Sequence, residues 1–237
     1  MSWTELLGEL PPLRQQLDKA TAAFCRQEVS AVPIFCANGC CNCCSLAVNC
    51  SFPEAVAIAA VLTAEQQQQL ESKILLLREI SQQANDLKQF LRLFRQKIAG
   101  CPLLDRKDGS CSIYSERPLS CRALLSTRNS SWCGVDFGEL HPLEREAFLS
   151  SLDPNVAAFP THYLAATQEL GMELEIQLLS SMRETFGFAL SGNLLYQLWL
   201  ERKYRLSEII PQGFAATRNG LEERQLDLPF LLQLQGE

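Results

Sequence analysis

Cys36-Ala37-Asn38-Gly39-Cys40-Cys41-Asn42-Cys43-Cys44 places five thiols within nine residues. Four more follow at Cys101, Cys111, Cys121 and Cys133. A packed apolar core does not need sulfur at this density, so metal, cluster or disulfide chemistry comes before packing as its explanation. Cys36, Cys40 and Cys43 have the spacing Cys-x3-Cys-x2-Cys. Three thiolates so spaced on a turning loop reach three corners of a cubane 4Fe-4S cluster and leave the fourth to a distant cysteine or another ligand. Tetrahedral zinc is the rival, assembled from one clustered loop and one distant hairpin.

Working outward, Pro33-Ile34-Phe35 leads into the stretch, and Asn38-Gly39 favours a tight turn with left-handed backbone. Upstream, Leu13, Leu17, Ala20, Thr21 and Phe24 recur at helical spacing, predicting an amphipathic helix over residues 10–29 opened by Pro11 and Pro12. Cys25 at the edge of its apolar face reads as a buried, inert thiol. Downstream, Ser51-Phe52-Pro53-Glu54 has the spacing of a capping box before a buried helix running to Leu62. A second capping pair, Thr63 and Gln66, opens a helix with Leu70, Ile74, Leu77 and Ile80 on one face. A third helix from Leu87 to Ile98 stops at Gly100.

The second thiol group, Cys101 to Cys121, has two successive spacers of nine residues, which fits loops folding back on one centre. Asp108-Gly109 and the alternation around Cys111 and Ile113 predict a small cysteine-bearing β-hairpin. Beyond it the pattern is helical again over Leu143–Leu152, Tyr163–Phe186 and Leu194–Tyr204, with Tyr196 and Trp199 as core. The tail after Pro211 reads as an extended segment or one weak helix. The fold expected is mainly α: a single helical domain over 1–237, with a metal-chelating region at 35–133 and a helical part at 141–210. In it, the cysteine loop and the hairpin form a metal site.

Composition excludes some functions. At 47% hydrophobic and 20% charged, the chain buries a core, and a net charge of -6 without a basic stripe argues against nucleic-acid binding. No apolar run has membrane-spanning length and no signal-peptide pattern opens the chain, so a cytoplasmic location is expected. There, disulfides are disfavoured and metal ligation becomes the default.

The chain resembles the YkgJ-type cysteine cluster proteins, a family of zinc- or iron-chelating domains with a CxxCxxCC motif. The resemblance runs from Phe35 to Arg122. It is carried by Cys36, Cys40, Cys43 and Cys44, by Gly100-Cys101-Pro102-Leu103-Leu104, by Gly109-Ser110-Cys111-Ser112-Ile113-Tyr114, and by Arg117-Pro118-Leu119-Ser120-Cys121-Arg122. It implies Cys36, Cys40, Cys43, Cys44, Cys101, Cys111 and Cys121 as the chelating set. Cys41 is an extra thiol. Cys50 and Cys133 are further candidates, and Cys50 beside a helix start is expected to have a lowered pKa. Seven thiols exceed what one cluster or one zinc needs, so either two centres share the region or the surplus has another role.

Arg122, and more weakly Arg117, is expected to offset the negative charge of a thiolate-bound centre and so contribute to cofactor binding. His141 and His162 read as capping and core residues. Radical S-adenosylmethionine enzymes share the Cys-x3-Cys-x2-Cys spacing, but they look like strand-helix repeats with an aromatic residue where this chain has Asn42. Three functional readings stay open. The favoured one is a metal-binding protein holding a 4Fe-4S cluster or zinc, with the cluster ahead on spacing. The second is a cluster-dependent protein-modifying enzyme, since flagellin lysine N-methylases are similar in their cysteine motif. The third is a zinc-stapled module whose helical half contacts a protein partner.

Overall fold

The computed structural model describes residues 2–26, 33–37, 39–105 and 107–236. Helix α1 (Trp3–Gly8) starts on a capping box in which Ser2 and Glu5 satisfy each other's backbone groups. It leads into α2 (Leu10–Arg26). Residues 27–29 of the expected first helix, and Asn38 of the expected turn, lie outside the described residues. Strand β1 (Asn49–Ser51) runs directly into α3 (Phe52–Val61), and α4 (Ala64–Gln83) begins at the Thr63–Gln66 capping box read from the sequence. α5 (Leu87–Leu93) is capped by Asp86 and continues into a wider turn, Phe94–Ile98, closed by Ala99 and Gly100 at positive φ.

The expected hairpin is reduced to one antiparallel bridge, Leu104 with Cys111, flanked by Asp105 N–H to Ser110 O (2.8 Å) and Ser112 N–H to Leu103 O (2.9 Å). Its thiols are therefore presented by a loop of tight turns more than by a strand face. Then come α6 (Leu119–Ala123), α7 (Pro142–Ser150) and α8 (Ala165–Phe186). α7 is capped by His141, whose Nδ1 accepts the Leu143 amide.

The second half corrects the reading of the tail. Strand β2 (Ala189–Asn193), α9 (Leu194–Tyr204), α10 (Leu206–Ile209) and α11 (Phe214–Glu223) are followed by strand β3 (Leu232–Gln235). The sheet order is β1-β2-β3, antiparallel throughout, with Cys50 opposite Gly192. All five residues of β2 are buried, so no alternation of apolar and polar residues marks it in the sequence. Gly192 is required there. Its φ is +156°, and a Cβ would lie 2.2 Å from the Leu231 carbonyl oxygen. Gln197 Nε2 locks the strands by donating to Cys50 O (2.9 Å) and Gly192 O (2.8 Å).

One apolar core, running from Leu6 and Leu17 through Phe52, Leu77 and Leu178 to Tyr196 and Leu231, joins the early helices to the late ones. The mainly helical architecture is the one expected, whereas the three-stranded sheet is an addition to it. Within it, α6 packs against α8 closely enough that a Cβ on Gly171 would meet Ala123 Cβ at 2.6 Å. Fully buried Glu54 supplies the other tie to α6. Its Oε2 accepts from Ser51 N (3.0 Å) and Ser51 Oγ (2.8 Å), and its Oε1 accepts from Leu119 N (2.7 Å). Replacing Glu54 with Ala strands three buried donors, and unsatisfied donors of this kind cost on the order of 3 kcal/mol together. The expected drop in urea midpoint is correspondingly large, and a loss within experimental error would remove this tie from the account.

Candidate metal centre

Backbone turns aim the first thiol group. Gly39 has φ +88°, Cys40 N–H donates to Ala37 O (3.1 Å), and Asn42–Ser45 forms a short 3₁₀ turn closed by Leu46 N–H to Cys43 O (3.0 Å). Asn42 Nδ2 reaches Ser130 Oγ (3.2 Å), fastening this turn to a second one at Ser130–Gly134. The Cys36 sulfur accepts the Ser126 amide at 3.1 Å.

The two thiol groups meet at one cavity of about 750 Å³. Cys36, Cys40, Cys43 and Cys44 from the loop, and Cys101, Cys111 and Cys121 from the second group, all line it. Its remaining walls are largely apolar, with Leu46, Phe94, Leu103, Leu194 and Leu195 among them. Among the described residues, no three His, Cys, Asp or Glu side chains form a closed metal-holding group. The sulfurs ring the cavity, each on a single χ1 bond.

Electrostatics divides the ring. Burial is the largest cause raising the Cys101 thiol to about 12, with Cys111 and Cys43 pushing it further the same way. Burial also pushes Cys121 far up, reinforced by Cys101, Cys43 and Cys111 and opposed by Arg117. In Cys111 burial again leads, the Ile113 amide and Arg117 oppose it, and Cys43 adds to it. Cys43 is raised first by its hydrogen bond with Cys44 and then by burial. Cys43 thus acts on Cys101, Cys111 and Cys121, while Cys44 is the thiol that acts on Cys43. Cys36, raised mainly by burial, feels Cys43, Cys133 and Cys40. Proton loss is opposed at these sites by desolvation and crowding, and a bound cation relieves both. The donor set therefore fits a thiophilic metal.

The cation turned toward the sulfurs is Arg117, whose charge lowers Cys43, Cys111 and Cys121. Arg117 stacks on the Tyr114 ring, 3.8 Å from its centroid. Arg122, the arginine favoured from the sequence, spends its guanidinium elsewhere. Nε donates to Arg117 O (2.9 Å), Nη2 to Ser115 O, and Nη1 to the Asp18 carboxylate (2.7 Å). Together with the Arg14–Glu116 ion pair, this clamps α2 across the second thiol group. The physical reason is burial: a guanidinium only 8% exposed needs acceptors for its donors, and nearby carbonyls provide them.

Four other thiols lie outside the expected chelating set. Cys25 is exposed and lines the cavity, with Asp18, Thr21 and Ala22 beside it. That 18, 21, 22, 25 stripe is a helical face, and its period was the signal that could have found it. Cys50 is fully buried on β1, away from the cavity wall, and desolvation followed by the Glu54 charge raises its thiol instead of lowering it. A helix start does not offset complete desolvation. Cys41 is exposed and sits beside Gly109, where an added Cβ would be 3.5 Å from its sulfur. Cys133 is buried with its sulfur 3.3 Å from His162 Nε2, a pairing no spacing announced. Burial, then Arg128 and Arg95, lowers His162 to about 4, so its imidazole is neutral at pH 7.

Alkylation should follow this order. Exposed Cys25 and Cys41 are expected to react with N-ethylmaleimide first at pH 8. Cys50, whose folded pKa lies above its ordinary 9.0, holds less thiolate at that pH than a free thiol and should react only after unfolding. Peptide mass spectrometry at timed quenches reads the order, and early labelling of Cys50 would contradict its placement.

Comparison with known proteins matches residues 35–135 to the family model CxxCxxCC, described as "Putative zinc- or iron-chelating domain". The match takes in both thiol groups and Cys133. Cys36 stands one residue earlier than the first cysteine of the family's motif. Comparisons with curated proteins and with solved structures returned no match. The description supports metal binding by this segment: residues 35–135, a little under half of the chain, are similar to the CxxCxxCC domain.

Proposed function

We propose that the protein binds a 4Fe-4S cluster in the thiol-lined cavity, its four thiolate ligands drawn from Cys36, Cys40, Cys43, Cys44, Cys101, Cys111 and Cys121. The observation that carries this reading is that thiols from two sequence groups, separated by helices α3 to α5, line one cavity. Cys43 acts on the protonation of Cys101, Cys111 and Cys121 from across the cavity, and a cubane takes four thiolates. The Cys36-x3-Cys40-x2-Cys43 spacing favours the cluster over the ion.

When bound, a cluster of this kind supplies electron transfer or a Lewis-acidic iron. The chain's own residues prepare the site. Arg117 offsets the thiolate charge, Leu46, Leu103, Leu194 and Leu195 exclude water, and the Asp18–Arg122 clamp holds α2 over the mouth. Residues 1–237 act as one folding unit in this reading, with the chelating region at 35–133 supported by the helical part at 141–210. Reduced thiols at this density suit the cytoplasm. No helix among the described residues is long and apolar enough to cross a membrane.

Anaerobically isolated protein is expected to be brown, with iron and acid-labile sulfide in equal amounts. Cys43→Ser and Cys121→Ser should each remove most of both, while Cys41→Ser leaves them unchanged. Colourless protein with stoichiometric zinc would overturn the choice of cluster, and full iron content in Cys121→Ser would overturn the ligand set.

A further inference from the structure

We propose that Cys133 and His162, with Cys36 and Cys40, form a second metal site, a mixed thiolate–imidazole centre suited to Zn(II), beside the all-cysteine group. It rests on the reading above in that the first centre draws its ligands from Cys43, Cys44, Cys101, Cys111 and Cys121, which gives Cys36 and Cys40 to the second.

The spacing of the pair fits a shared metal. Cys133 Sγ and His162 Nε2 are 3.3 Å apart. Two ligands of one tetrahedral zinc, with Zn–S about 2.3 Å and Zn–N about 2.05 Å, stand about 3.5 Å apart. Little movement separates the observed pair from that edge. Backbone pairing brings Cys36 alongside. Phe35 N–H donates to Ser126 O (2.9 Å), Thr127 N–H to His162 O (3.0 Å) and Leu164 N–H to Leu125 O (2.8 Å), so three chain segments lie side by side. Ser126 sits between the sulfurs, giving its amide to Cys36 (3.1 Å) and hydrogen-bonding Cys133 through its side chain. Cys40 lies within electrostatic reach of both Cys36 and Cys133.

The surroundings suit a closed structural site more than a reactive dyad. Cys133 and His162 are 3% and 2% exposed, which leaves no approach for a substrate to a nucleophilic sulfur. Phe148 meets the imidazole edge-on at 5.7 Å, Tyr163 covers it at 4.4 Å, and Trp132 and Phe137 complete a dry aromatic wall. Arg95 pins the Cys133 turn by donating to Cys133 O (3.3 Å) and to Val135 O. On binding Zn(II), each thiol releases its proton to solvent and donates a sulfur lone pair. The neutral His162 donates the Nε2 lone pair and releases no proton.

Zn(II) titration of the full chain against a chromophoric chelator, with Co(II) absorption as the spectroscopic readout, tests this. Chelator-treated wild type should take up two equivalents. His162→Gln and Cys133→Ser should lose one, or bind it at least about 100-fold more weakly, and keep the other. Cys121→Ser should lose the complementary equivalent. His162→Cys should restore the second site with added sulfur-to-cobalt charge transfer. If His162→Gln keeps both equivalents and an unchanged cobalt spectrum while only its melting temperature falls, the pair is structural and the inference fails. Loss of metal in Cys121→Ser alone would leave the first centre standing without the second, and loss in His162→Gln alone would do the reverse. Should His162→Gln not fold, the wild-type cobalt spectrum decides, since two all-sulfur sites would refute the proposal.

Discussion

Three donors converge on the buried carboxyl group of Glu54, and both halves of the thiol cavity hang from that convergence. Ser51 gives it an amide and a hydroxyl, and so sets where β1 ends and α3 begins. Leu119 gives it the first amide of α6, two residues before Cys121. A buried polar group must be satisfied or it costs more than most single contacts contribute. The chain therefore has little freedom to separate the segment after the first thiol group from the helix carrying the last thiol. Gly171 and Ala123 lock the far side of the same helix against α8.

Around that frame, the cavity is a place where protonated thiols are favoured and thiolates are not. Desolvation raises Cys101, Cys111 and Cys121, and their mutual proximity adds to it. This arrangement is poor for a free reactive thiol and good for a metal, which replaces several protons at once with one positive centre. Arg117 faces the sulfurs, while Arg122 fastens loop to helix. Two arginines five residues apart thus divide electrostatic and mechanical duties.

Much of the helical frame was legible. The capping boxes at Ser51–Glu54 and Thr63–Gln66 sit where their spacing put them, and the last long helix spans Leu194–Tyr204 as read. These signals are local, arising from hydrogen bonds within one turn and from side chains repeating on one face. The buried β2 was not legible, because a strand covered on both faces shows no alternation, whereas β3 does alternate as Leu232-Gln233-Leu234-Gln235 but over only four residues. The hairpin shrank to one bridge for a related reason: Asp108-Gly109 specifies a turn, and a turn does not oblige its flanks to pair.

By itself the sequence determined the chemistry of the chain. Eight of the eleven cysteines fall in two spaced groups, which calls for a metal, since thiol number and spacing are properties of the covalent chain. Only the tertiary structure decided which of those sulfurs share a space. It brought exposed Cys25 to the cavity wall, set Cys50 behind β1, and paired Cys133 with His162, twenty-nine residues away. The reason is that a coordination set is a matter of distances of a few ångströms. Those distances are fixed by packing between α6 and α8 and by the backbone pairing of Phe35, Ser126 and His162, contacts with no period along the chain to announce them.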